Sequence, residues 1–154
     1  MRVLGIDPGS RVTGYGVIEA PQEVLAWGVI RLKGEDLATR LKILFEEITA
    51  LINRYQPGVV ALEEVIPETF PRSALKLGQA QGAAIIAAAT AQRPVFCYHP
   101  LEVKKALTGY GAASKEQLRY MVAATLGVKE TLPIDASDAL AVALYHLSRE
   151  KRCW

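Results

Sequence analysis

Cysteine is scarce: the 154 residues hold two. Cys97 lies inside the apolar run Pro94-Val95-Phe96-Cys97-Tyr98 and Cys153 is next to the last residue. Neither their number nor their spacing suits a disulfide framework or a zinc site, so both are expected as reduced thiols. Long hydrophobic runs are absent as well. The longest stretch of small apolar residues, Ala83 to Ala91, falls well short of the roughly 20 residues that a membrane span needs. The N-terminus shows no basic region followed by an apolar core. A soluble, cytoplasmic protein with no membrane partner is expected. Net charge is small, +2, which by itself says little about partners. The second glycine-rich phosphate loop that an ATPase should need is also missing.

What is present is enough for one core. With 51% hydrophobic and 22% charged residues, the chain is long enough for one well-buried domain and too short for two ordinary ones, so residues 1–154 read as a single domain. The first apolar run, Val3-Leu4-Gly5-Ile6, leads straight into Asp7 before Pro8-Gly9 stops the strand. A carboxylate at the tip of a buried strand is partly desolvated and must be hydrogen-bonded, paired or metal-bound, unless it merely starts the Pro-Gly turn.

The elements follow in order. Val12–Ile18 and Val24–Ile30 read as two further strands of an antiparallel meander. Leu37, Leu41, Leu44, Phe45, Ile48, Ile52 and Tyr55 mark one face of a long helix ended by Pro57-Gly58. Val59-Val60-Ala61-Leu62 is a short strand without alternation, as a strand covered on both faces would be, and it runs into Glu63 and Glu64. Periodicity leaves open which glutamate faces Asp7. Ile66 to Arg72 reads as a loop. Ser73 to Ala91 reads as a helix with Ser73 as its cap and an unusually small-sided face at Gly78 and Gly82. That face suits close packing on the subunit's own sheet or on the same helix of a second subunit. Val95–Tyr98 is a fifth strand, Leu101–Leu107 a short helix, and Ser114–Leu126 a helix whose Ser114 and Gln117 have capping-box spacing. A last helix starts at Asp135 and carries Asp138 on nearly the same side, a pattern that also suits an ordinary helix start.

Asp7, Glu63, Asp135 and Asp138 together suggest chemistry that none suggests alone. If the first and fourth strands are parallel neighbours, their acids share the carboxyl edge of the sheet, where open α/β sheets bind ligands, and the first turn of the last helix can join them. Clustered carboxylates repel unless cations neutralise them. An all-oxygen set favours Mg²⁺ or Mn²⁺ over zinc, and two such ions could activate water and stabilise the leaving oxygen of a phosphodiester. Between His99 and Lys129, five bases (Lys104, Lys105, Lys115, Arg119, Lys129) face two acids (Glu102, Glu116). That segment is either a solvated face or a phosphate-binding one.

Four blocks in order, Gly5-Ile6-Asp7-Pro8-Gly9-Ser10-Arg11-Val12-Thr13-Gly14-Tyr15-Gly16, Ala61-Leu62-Glu63-Glu64-Val65, Ser73-Ala74-Leu75-Lys76-Leu77-Gly78-Gln79-Ala80 and Asp135-Ala136-Ser137-Asp138-Ala139-Leu140-Ala141, resemble the RuvC family of crossover-junction endonucleases. The resemblance spans nearly the whole chain. It implies an α/β, ribonuclease-H-like fold, a five-stranded mixed sheet with helices on both faces. It also implies a homodimer and Mg²⁺-dependent paired nicking of Holliday junctions, four-way DNA junctions, in recombination and repair, with RuvA-RuvB as partner. By this resemblance Asp7, Glu63, Asp135 and Asp138 are the catalytic, metal-holding acids, with Mn²⁺ as a substitute metal. The second acid falls on Glu63 in place of Glu64, and Lys104 and Lys115 match lysines near the scissile DNA, with Arg119 in the same basic segment. Where the family commonly has an aromatic wedge three positions after the second acid, this chain has Ile66, so Ile66 or Phe70 would insert at the junction. The rival expectations are a YqgF-like nuclease acting on RNA, an actin-like ATPase and a catalytically silent junction-binding module.

Overall fold

The computed structural model describes residues 1–67 and 71–152, so Phe70 and Cys153 lie outside the described residues. Five strands form one sheet in the order β3-β2-β1-β4-β5. They are β1 (Arg2–Asp7), β2 (Val12–Glu19), β3 (Glu23–Arg31), β4 (Val59–Glu63) and β5 (Val95–Tyr98). The meander β1-β2-β3 is antiparallel, whereas β4 and β5 join β1 in parallel. The helices are α1 (Leu37–Tyr55), α2 (Pro71–Thr90), α3 (Pro100–Thr108), α4 (Lys115–Leu126) and α5 (Ile134–Arg152).

Alternation along the two central strands divides the core. Leu4, Ile6, Val60 and Leu62 point to one face, where Leu44, Ile48 and Ile52 of α1 and Ala80, Ala84, Ala87 and Ala88 of α2 cover them. Val3, Val59 and Ala61 point to the other face, against Leu140, Val142, Ala143 and Leu144 of α5, with Val103 of α3 and Val122 of α4 outside. A fully buried Leu or Ile contributes about 1.5–3 kcal/mol. Among the described residues, nine Leu and Ile side chains, Leu4, Ile6, Leu62 and Leu140 included, are fully buried and hold a platform on which a few repelling carboxylates can be tolerated.

Local signals act as their chemistry requires. Asp36 caps α1 by accepting the Thr39 N–H at 2.7 Å, and Gln56, in the left-handed region at φ 49°, ends it. Ser114 and Gln117 form the reciprocal capping box of α4. Three helix starts differ from the sequence reading: α3 begins at Pro100, one residue before Leu101, with His99 as its cap. α2 begins at Pro71, two residues before Ser73, because proline at the first helical turn needs no N–H partner. α5 begins at Ile134, so Asp135 sits in its first turn and not at its cap; there the Pro133 carbonyl accepts the Ser137 N–H at 2.9 Å. Cys97 is exposed on the edge strand β5. No helix among the described residues is long and apolar enough to cross a membrane.

Candidate active site

The strand alternation that divides the core also settles which glutamate meets Asp7. Gly5 pairs with Ala61 and Ile6 with Leu62 across the parallel β1-β4 junction, so the next residues, Asp7 and Glu63, leave the two strands side by side. Both fall on the α5 face, two positions beyond Gly5 and Ala61. Glu64 is exposed and stays outside the group around Asp7, although it borders the same cleft, and its N–H donates to the Tyr98 carbonyl at 2.8 Å. From above, α5 lowers Asp138 onto the pair. Carboxylate oxygens of Asp7, Glu63 and Asp138 all lie within 4.8 Å of one another.

The turn after Asp7 is tied down. Thr13, fully buried, accepts the Gly9 N–H and donates to the Gly9 carbonyl through its hydroxyl, each at 3.2 Å. These bonds hold the Pro8-Gly9 turn, directly after Asp7, against the start of β2.

Such crowding is costly in charge. Burial, then the charge of Glu63 and a side-chain hydrogen bond to it, then the charges of Asp138 and Asp135, push the Asp7 carboxyl up to about 10. Burial and the Glu63 charge raise Asp138 to about 6, although Lys115 opposes them. Lys115 Nζ lies 3.6 Å from Asp138 Oδ2; the Asp138 charge, the largest influence on it, holds the ammonium above its ordinary range. Without a cation the cluster keeps a proton and borrows a lysine. A hard divalent cation would replace both, and the all-carboxylate donor set suits one.

The acids form one wall of a cleft of about 640 Å³. Asp135, outside the tight triad, lines this cleft with Lys104, Lys115, Ile66 and the apolar side chains of Val65, Leu77 and Leu101. Four acids, two lysines and Ile66 thus converge as the sequence implies. Arg119 is not brought to the cleft: its guanidinium bonds to Glu116 and to the Leu132 carbonyl, the latter at 3.3 Å. Sequence reasoning passed over His99, Ser73 and Leu101, which also line the cleft. His99 accepts the Leu101 N–H at 3.1 Å as the cap of α3, and the adjacent Pro100, favoured at a helix start, was the available signal.

Comparison with known proteins agrees with this arrangement. The family described as Crossover junction endodeoxyribonuclease RuvC matches residues 3–146. The Crossover junction endodeoxyribonuclease RuvC of Trichlorobacter lovleyi is 49% identical over 152 residues, 96% of this chain and 85% of that one. That of Actinobacillus succinogenes is 48% identical over 147 residues, 94% of this chain and 77% of its own. A solved structure of T. thermophilus RuvC in complex with Holliday junction substrate superposes with a TM-score of 0.91 at 36% identity, covering 99% of this chain and 96% of that one. The yeast mitochondrial Holliday junction resolvase Ydc2, 13% identical, shares the fold with a TM-score of 0.69 over 99% of this chain and 80% of its own. A carboxylate cluster at the carboxyl edge of a five-stranded mixed sheet, in a chain matched from residue 3 to residue 146, places this protein in the RuvC family of crossover junction endodeoxyribonucleases.

Proposed function

We propose that residues 1–154 act as one nuclease domain that cuts four-way DNA junctions with Asp7, Glu63, Asp135 and Asp138 holding Mg²⁺, two ions per site, with Mn²⁺ as a substitute. The observation that carries this reading is the convergence of three carboxylates within 4.8 Å on a cleft that also holds Lys104 and Lys115. Bound there, divalent cations supply charge neutralisation, water activation and leaving-oxygen stabilisation. The chain's own part is to hold the acids rigidly and to place the phosphate. With cations balancing the acids, Lys115 would no longer be held by Asp138, and its exposed ammonium would be free for a phosphate oxygen, beside Lys104. Arg119 reaches a phosphate only by exchanging its Glu116 partner.

Ile66, half-buried on the cleft wall, is proposed as the apolar wedge at the junction, with Phe70 as the second candidate. Two symmetric nicks need two sites, and α2 supports a homodimer. Its Ala80, Ala84, Ala87 and Ala88 are buried on the subunit's own core, while Leu75, Ile85 and Ile86 are exposed and added Cβ atoms at Gly78 and Gly82 would meet nothing within 4 Å. The small-sided face therefore points away from the sheet and is open to a second copy. Action in the cytoplasm beside RuvA-RuvB completes the reading. The test is a labelled four-way junction incubated with Mg²⁺ beside a linear duplex and an RNA of matched sequence. Paired cuts in the junction alone are expected, and preferential cutting of the RNA would transfer the site to the YqgF-like alternative.

A further inference from the structure

Gly5, Asp7, Gly14 and Gly16 occupy one patch of the sheet, with Gly5 opposite Gly16 and Asp7 opposite Gly14 in the β1-β2 register. The backbone of α5 rests on this patch. A Cβ at Gly14 would overlap the carbonyl oxygen of Asp135 and lie 2.8 Å from the Ala136 nitrogen. At Gly16 the added atom would instead overlap the Leu140 side chain. All three glycines face the same helix: Gly5 and Gly14 meet its backbone, at the Ala139 and Asp135 carbonyls, whereas Gly16 meets the buried Leu140 side chain, and only Gly14 meets the first turn, which carries the acids.

We propose that Gly14 is a positioning residue for the acid cluster: its bare Cα lets the Asp135 carbonyl settle onto β2, and so sets the height at which α5 presents Asp138 and Asp135 to Asp7 and Glu63. This rests on the reading of those acids as metal holders. The sheet cannot yield, because β1 and β2 are paired from Arg2↔Glu19 to Asp7↔Gly14 and the adjoining Thr13 is locked to Gly9. The first turn of α5 can, because residues 128–133 before it belong to no helix or strand, while the Ala139 carbonyl stays seated on Gly5. A methyl group at position 14 therefore lifts the first turn, by a shift on the order of 1 Å, the scale at which positioned groups lose about 10²-fold in rate. Asp138, whose oxygen belongs to the triad, moves with it.

The test compares wild type, Gly14→Ala and Gly16→Ala. Mn²⁺ alone is titrated calorimetrically without DNA, beside thermal melting and junction binding in EDTA. Gly14→Ala is expected to bind Mn²⁺ about tenfold or more weakly, as changes around metal ligands do, while binding junctions as wild type does. Gly16→Ala is expected to melt earlier and to bind Mn²⁺ within about twofold of wild type, since the Leu140 side chain and not the first turn of α5 must yield. Wild-type Mn²⁺ affinity in Gly14→Ala, or affinity losses in both variants that track their melting temperatures, would overturn the proposal. If wild type itself binds no Mn²⁺, the metal-holding reading fails first, and the positioning proposal falls with it. Should Gly14→Ala be unfolded in buffer, all three proteins are titrated in trimethylamine N-oxide, which strengthens burial. Failure to fold even there would make Gly14 a requirement of the fold and would also overturn the proposal.

Discussion

Asp7→Asn should make the metal-free protein more stable at pH 8 while abolishing its chemistry. Asp7 has a folded value of about 10 against an ordinary 3.8. A carboxyl raised in this way contributes stability that is full below the unfolded value and is lost as pH rises toward the folded one. Between pH 5 and pH 8 the slope is at most about 1.4 kcal/mol per pH unit, a ceiling of about 4 kcal/mol. Relaxation and water in an open cleft reduce this to about 1–2 kcal/mol, because buried sites behave as though their dielectric constant were near 20. Asparagine keeps the shape and can donate to Glu63 without holding a proton. In EDTA the variant should melt about 3–8 °C above wild type at pH 8, with the gap closing toward pH 5. Comparison of the two proteins cancels the histidines, which titrate in both. Mg²⁺ should raise wild-type melting at pH 8 and do little for the variant. A variant less stable than wild type at pH 8 in EDTA, or a gap that does not change with pH, would refute the idea that the cluster is held together against its own charge.

Three further outcomes are expected. Lys104→Ala and Lys115→Ala should each lower the steepness of junction binding against salt by about one unit, and an unchanged slope would return them to ordinary solvation. Ile66→Ala should slow cutting of intact junctions more than of nicked, flexible ones, since unstacking a base step costs a few kcal/mol; equal losses would argue against a wedge. Gly82→Leu, with open space at its Cβ, should leave the subunit folded and shift the protein to a monomer that nicks without pairing. Sedimentation as an unchanged dimer would remove α2 from the interface.

Much of this site is legible in the residues because its acids sit at the ends of elements, where apolar periodicity stops abruptly. Asp7 after Ile6 and Glu63 after Leu62 needed only the parallel pairing of β1 and β4 to meet. The choice between Glu63 and Glu64 was not legible from pattern, because β4 is apolar on both faces; the register with β1 supplies it. The starts of α2 and α5 were misjudged by one or two residues because Ser73 and Asp135 look like caps, whereas Pro71 and the Pro133 carbonyl do the work. Arg119 read as part of a basic face because sequence counts charges and not partners. The open face at Gly78 and Gly82 could be assigned only after Ala80, Ala84, Ala87 and Ala88 were seen to fill the core. Gly14 and Gly16 did carry a signal, since glycine within a strand marks close backbone approach, but only the position of α5 shows which atom approaches.

The central claim is that the acids brought together by β1, β4 and α5 perform the cutting. It is tested most directly by single-turnover cleavage of a labelled four-way junction across a Mg²⁺ titration, for wild type, Asp7→Asn and Glu63→Gln, with junction binding measured in parallel. The account predicts cutting that requires Mg²⁺ in wild type, near-normal binding in all three, and cleavage lowered at least a hundredfold in both variants, the order of loss seen when a group acting on the transition state is removed. Cleavage at the wild-type rate by either variant would contradict it.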